Sequence, residues 1–320
     1  MYYLGIDLGG TNIAAAAVDE EGVILGRSSI PTPRDGAAPA QVAATMAQAV
    51  VQAVEHAGLE LSNAASIGIG SPGTIDPVSG VVRFWSNLNF QDVPLSELVR
   101  KNIPMDLPIY LENDANAAAL GEYASGAGKG SVSMVAITLG TGIGGGAVFN
   151  GKLYTGFNYA GMEVGHFVIE KGGRLCTCGR KGCFETYCSA TALIRRTKEI
   201  MEQSPDSLLW QMADGDLNKV NGRIPFDAAQ QGDAAAKTVV DEFIEYLGNG
   251  VASLVNVLQP EVFCIGGGIS NQGENLLGPV RQILNREDYA RNSINRTRLV
   301  RAELGNDAGI IGAALLPKFR

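Results

Sequence analysis

Four residues of this chain stand in a spacing that suits a metal. His166, Cys176, Cys178 and Cys183 read H-x9-C-x-C-x4-C, and one imidazole with three thiolates completes a tetrahedral zinc site. With every position filled by protein, such a zinc is closed to water and structural. Gly172, Gly173, Gly179 and Gly182 let the intervening chain fold tightly around an ion. The plainer alternative is three inert, buried thiols. The dense spacing beside one of only two histidines favours zinc. Cys188 and Cys264 lie in apolar surroundings and read as core, and His56 has no partner motif.

Glycine-rich turns form the second group. Asp7-Leu-Gly-Gly-Thr-Asn12 ends a strand in a carboxylate and turns through Gly9 and Gly10, whose backbone N–H groups could reach an anion, with the Thr11 hydroxyl and Asn12 beside them. It is neither a P-loop nor a dinucleotide fingerprint. Alone it reads sooner as a plain hairpin turn than as an anion site. A second turn, Leu139-Gly-Thr-Gly-Ile-Gly-Gly-Gly146, stands at the matching place of an apparent repeat, and two such hairpins could clasp a polyphosphate. A third, Gly266-Gly-Gly-Ile269, follows a strand and could border an adenosine.

The third group is carboxylates. Ile109-Tyr-Leu-Glu-Asn-Asp114 is a strand that delivers Asn113 and Asp114 at its end, just before a helix of small residues. Asp114 has two readings: a cap for that helix, or an acceptor for a hydroxyl proton in phosphoryl transfer. Glu163 and Glu185 bracket the cysteine loop. Each is a surface charge taken singly; held by a metal knot beside His166 they would offer fixed partners to a polyhydroxylated ligand.

The elements that must position these groups alternate between strand and helix. Residues 2–8, 13–19 and 23–29 read as strands, 40–57 as an amphipathic helix, 66–70 as a short strand, and 71–93 as a long polar loop. A helix near 94–102, a strand at 109–112 and a helix at 115–123 follow. From about 132 the pattern restarts, Ile137-Thr-Leu-Gly140 answering Ile6-Asp-Leu-Gly9, and closes with a long helix at 232–257, a strand at 262–265 and a small-residue helix after Asp307. This is a mixed α/β chain built on a duplicated unit. The expected division is a small lobe of residues 1–115, joined by 305–320, and a larger lobe of 116–304 carrying the zinc knot, the two facing each other across a cleft.

Composition limits the partners. The 320 residues carry 25 basic against 33 acidic side chains, a net charge of −8, which gives no general attraction for nucleic acid. Glycine, at 41 residues, is nearly twice its usual share and is clustered, as tight turns and close ligand approach require. No apolar run approaches a membrane span and the first residues do not read as a signal peptide, so the expectation is a cytoplasmic protein. Five cysteines are too few, and odd in number, for a disulfide framework.

Taken together, Asp7-x-Gly-Gly-Thr11, Glu112-Asn-Asp-Ala-Asn116, Leu139-Gly-Thr-Gly142, Glu163-x-Gly-His166 and Cys176-x-Cys-Gly-x-x-Gly-Cys-x-Glu185 resemble the ROK family of sugar kinases and repressors over essentially the whole chain. The resemblance implies an actin-like (RNase H-like) ATPase duplication. It implies Asp114 as base on a sugar 6-hydroxyl, with Asn113, Glu163, His166 and Glu185 as sugar ligands and Gly73 and Asn87 as further contacts. Asp7 would organise Mg²⁺, while Gly9, Gly10, Thr11, Asn12, Thr141 and Gly142 would surround the phosphates of ATP and Gly267 and Gly268 the adenosine. His166 would bind zinc through one ring nitrogen and sugar through the other. The family's repressors carry an N-terminal helix-turn-helix, for which a first motif at residue 7 is expected to leave no room. Its zinc-less polyphosphate-using members lack the cysteine knot, and its fructokinase-like members use another His and Cys mix. What remains is ATP-dependent phosphorylation of D-glucose, with an N-acetylglucosamine or N-acetylmannosamine kinase as the alternative, and a non-catalytic sugar-sensing regulator as the reading from another class. A homodimer or homotetramer is also implied.

Overall fold

The computed structural model describes residues 1–34, 36–85, 88 and 90–319. The chain begins with β1 (Tyr2–Leu8), β2 (Asn12–Val18), β3 (Ile24–Pro31), α1 (Pro39–His56) and β4 (Ala64–Ser71). It continues through β5 (Thr74–Asp76), β6 (Val81–Trp85), β7 (Phe90–Val93), α2 (Leu95–Arg100), β8 (Ile109–Asn113) and α3 (Asp114–Ser125). After these come β9 (Ser133–Leu139), β10 (Ile143–Phe149) and β11 (Lys152–Leu153), then α4 (Glu185–Cys188), α5 (Ala190–Gln203), α6 (Leu208–Met212) and α7 (Ile224–Gln230). The chain closes with α8 (Ala234–Leu258), β12 (Val262–Gly266), α9 (Glu274–Glu287), β13 (Arg298–Arg301) and α10 (Ala308–Leu315).

The repeat seen in the sequence is a repeat of sheet topology. One sheet runs β3-β2-β1-β4-β8 and the other β11-β10-β9-β12-β13. In the first, β1 pairs antiparallel with β2 and parallel with β4, and β4 pairs parallel with β8. In the second, β10–β11 is antiparallel and β12–β13 parallel. Backbone contacts divide the chain into two compact units. One is Met1–Ala136 with Gly146–Met162 and Glu303–Arg320, the other Ile137–Gly145 with Glu163–Ala302.

In the first unit the alternation of β1 explains the layers. Tyr2, Leu4, Ile6 and Leu8 join a core with Val42, Met46, Val50 and Ala53, which recur at helical spacing on α1. On the other face Gly5 leaves room for the backbone of Ile310 in α10. α10 is nearly all small or branched apolar residues, and it meets α3 backbone to backbone, Gly312 against Ala117 and Gly121 against Ala308. This contact moves the division of the chain from 115 to 136, because α3 is held in the first unit by α10. The reading of 71–93 as a polar loop is corrected: it holds the three-stranded sheet β5-β6-β7. There Val82, Trp85, Phe90 and Val93 are buried while Arg83, Phe84, Gln91 and Asp92 are exposed, a pattern that lacks the period of two by which a strand is read from sequence.

The second unit is dominated by α8, whose Val239, Phe243, Leu247, Val251 and Val255 form a buried stripe. Gly248 receives Ile283 of α9, and Gly250 receives the ring of Phe184 just before α4. Helices α5, α6, α7 and α9 and strand β13 go beyond the elements expected from sequence. Among the described residues, no helix is long and apolar enough to cross a membrane.

Candidate functional site

Parallel pairing sets the site of the first unit. Asp7 in β1 is level with Gly70 in β4, Gly70 with Glu112 in β8, and Ser71 with Asn113. Asp7 and the Asn113–Asp114 pair therefore share the C-terminal edge of one sheet, where α/β folds put their ligands. Asn113 caps α3: its Oδ1 accepts the Ala115 N–H at 2.9 Å and the Asn116 N–H at 3.2 Å. Its amide also donates to the Gly73 carbonyl at 3.3 Å, and Gly73 has a φ of 92° that a side chain would resist. With the cap supplied by its neighbour, Asp114 is left half-buried as the first residue of the helix, one oxygen accepting the Ala115 N–H at 2.8 Å. Behind the turn, Glu112 is buried and accepts from Asn113 N at 2.9 Å and Asn116 Nδ2 at 3.1 Å.

Two carboxylates near one another in a poorly hydrated place resist ionisation together. Burial, reinforced by the negative charge of Asp114, pushes Asp7 up to about 6. Burial also raises Asp114, against the lowering effect of its hydrogen bonds from Ala115 and Asn113. Such a carboxyl is a stronger proton acceptor than an ordinary aspartate.

The turn between β1 and β2 is closed by the Gly9 N–H donating to Asn12 O at 3.0 Å, and Gly10, Thr11 and Asn12 are exposed at its tip. Two residues that the sequence motifs did not mark support it. Thr32 donates its hydroxyl to Gly9 O at 2.7 Å, and Arg34 donates to Thr11 Oγ1 at 2.7 Å. The guanidinium of Arg34 thus lies at the tip of an anion-ready turn. Its only sequence signal is a cation after a Pro-rich loop. Asn87 lies outside the described residues.

In the second unit the cysteine loop closes on itself. Nδ1 of His166 lies 3.6 Å from Cys176 Sγ, Cys178 Sγ lies 3.7 Å from Cys183 Sγ, and all four donor atoms fall within 4.8 Å of one another. A tetrahedron with zinc–sulfur bonds of about 2.3 Å has sulfur–sulfur edges of about 3.8 Å, so the donors fit this ion. Burial and the neighbouring sulfurs push the Cys183 thiol up to about 12, so a full set of thiolates requires a strong cation. Since Nδ1 faces the sulfurs, Nε2 is the ring nitrogen left for another partner. Glu163 is exposed, and its carbonyl accepts the His166 N–H at 3.1 Å in a single 3-10 turn. Glu185 opens α4 half-buried, with Oε1 3.7 Å from Cys176 Sγ and Oε2 accepting the Ile143 N–H at 3.0 Å.

The same unit holds the other two glycine turns. Gly140 N–H donates to Gly142 O at 3.0 Å, closing the β9–β10 turn with Thr141 exposed at its tip. Gly267 and Gly268, just past β12, are exposed, and Gly267 has a φ of 82° with Leu139 packed beneath it. Each unit thus offers backbone N–H groups at a strand edge together with carboxylates. The second adds the His166, Cys176, Cys178 and Cys183 cluster, whose spacing fits a metal ion.

The ROK family model matches residues 3–319. A glucokinase of Thermotoga maritima is 40% identical over 322 residues, covering 99% of this chain and 97% of that protein. A glucokinase of Streptomyces coelicolor is 38% identical, covering 98% and 97%. Among solved structures, a ROK family glucokinase from Streptomyces griseus in complex with glucose and AMPPNP is 36% identical, with a TM-score of 0.82 and 99% of each chain covered. The repeated sheet is the actin-like ATPase arrangement of these kinases, and the chain belongs to the ROK family.

Proposed function

We infer that this chain is an ATP-dependent hexokinase-type enzyme that phosphorylates the 6-hydroxyl of D-glucose, giving glucose 6-phosphate and ADP. Full-length likeness to glucokinases supports the substrate pair. The observation that carries the chemistry is Asp114, a carboxylate with a raised proton affinity at a sheet edge, where Asn113 is the helix cap and Asp114 has one oxygen on the Ala115 N–H.

In this reading Asp114 orients the sugar hydroxyl and takes its proton as the new O–P bond forms. Asn113, Glu163, His166 and Glu185 would hold the other hydroxyls, with Gly73 and Asn87 adding contacts. Gly9, Gly10, Thr11 and Asn12, with Thr141 and Gly142, would surround the phosphates through backbone N–H groups and hydroxyls. Gly267 and Gly268 would border the adenosine. Asp7 would hold Mg²⁺, which neutralises phosphate charge when bound. His166, Cys176, Cys178 and Cys183 would hold a structural Zn²⁺ that fixes the loop carrying Glu163 and Glu185. A homodimer or homotetramer belongs to the same proposal, and sedimentation equilibrium tests it.

Steady-state turnover with ATP and either glucose, mannose, N-acetylglucosamine or N-acetylmannosamine tests the assignment. The expected result is the highest kcat/KM with glucose. Preference for an N-acetylated sugar would reassign the substrate, and binding without turnover would make the protein a sensor.

A further inference from the structure

Glu185 belongs to two structures at once. Its Oε1 faces the cysteine knot, while its Oε2 holds the N–H of Ile143, 42 residues earlier in the chain, where the β9–β10 turn ends. Gly142 makes this possible: a Cβ on that residue would fall on Glu185 Oε2. Its backbone lies outside the left-handed region, so the close approach of Glu185, and not a turn conformation, is what calls for glycine here. Two more ties reach the same turn. Gly165, beside His166, packs against the Ile143 carbonyl, and the Ala190 N–H donates to Gly140 O at 2.8 Å. The segment before the knot, the carboxylate after it and the start of α5 all attach to residues 140–143.

We propose that Gly142 is a positioning residue for the sugar, acting through Glu185, and that the Glu185–Ile143 bond couples sugar binding to nucleotide binding. The proposal rests on the kinase reading above and deepens it. A carboxylate oxygen held by a backbone N–H has a fixed direction, so the other lone pairs are aimed before a sugar arrives. The same bond fixes the turn whose N–H groups and Thr141 hydroxyl would meet phosphate. Ordering one side lowers the cost of ordering the other, and the effect is reciprocal.

Glucose dissociation constants, measured with and without a non-hydrolysable ATP analogue on the full chain, test this. In the wild type the analogue tightens glucose about fivefold or more. Gly142→Ala, whose methyl displaces only the far end of a flexible side chain, keeps its zinc, weakens glucose about tenfold and brings the coupling within about twofold of none. In a Glu185→Ala background the added Gly142→Ala changes glucose affinity less than about twofold, because the residue it acts through is gone. Glu185→Gln, which still offers an oxygen to the Ile143 N–H, weakens glucose but retains coupling, and it decides the matter should Gly142→Ala fail to fold. Unchanged glucose affinity with a raised KM for ATP in Gly142→Ala, additive effects in the double variant, or loss of coupling in Glu185→Gln as complete as in Glu185→Ala would each overturn the proposal. Normal glucose turnover with no coupling in the wild type overturns this inference alone. Absence of glucose turnover overturns the kinase reading and the inference with it.

Discussion

Gly309 stands directly against the carboxylate of Asp7: a Cβ on Gly309 would lie 3.0 Å from Asp7 Oδ2 and 3.2 Å from its Cγ. The residues are 302 positions apart, joined because α10 packs on β1. Gly309→Ala therefore crowds Asp7 without touching the core. Alanine suits a helix better than glycine by up to about 1 kcal/mol. We expect an unchanged or raised Tm, with kcat/KM for ATP lowered about tenfold to a hundredfold by misplacement of the carboxylate. Full activity in a folded Gly309→Ala protein would remove Asp7 from the reaction.

Asp7 also carries a pH signature. Its folded-state value of about 6 lies above the ordinary 3.8, so the protonated carboxyl adds stability that is fully present below pH 3.8 and is lost as the pH rises through about 6. Asp7→Asn should thus stabilise the ligand-free protein at pH 7.5 by about 1–3 kcal/mol, and by less at pH 4.5, while abolishing most activity. Urea denaturation at the two pH values checks it. A variant that is less stable than wild type at pH 7.5 contradicts the assignment. In wild type, activity should decline on the acid side of about pH 6 as the Asp7–Asp114 pair takes up a proton.

The cysteine knot predicts a metal content. One equivalent of zinc should accompany the purified chain without being added, since thiolates hold it tightly. Cys178→Ser should lower zinc retention and weaken the thermal shift produced by glucose more than that produced by ATP. Equal loss of both shifts would mean general destabilisation. Zinc-free wild-type protein would end the argument that metal and sugar are linked.

The knot was legible in the sequence because its chemistry is local: all three cysteines lie within eight residues, and their spacing alone suggests the donor set. The glycine turns were legible for the same reason, and the duplication through their repetition. Asp114 was ambiguous. The sequence offers Asn113 and Asp114 side by side, and it is the extended backbone of Asn113, with φ −65° and ψ 145°, together with the Ala115 and Asn116 N–H groups its side chain accepts, that assigns the cap to Asn113. The approach of Gly309 to Asp7 and the bond from Ile143 to Glu185 could not be read, since each depends on how distant helices and strands pack. Short strands β5 to β7 were hidden by the turn residues around them.

Asp114→Asn is the most direct test of the whole account. The amide keeps the size of the side chain and an acceptor for the Ala115 N–H, but it does not take a proton. Turnover of glucose with ATP, measured beside glucose affinity, should fall by about two to four orders of magnitude while affinity changes little. Near-normal turnover in this variant would contradict the account, because Asp114 would then be no more than the first residue of α3.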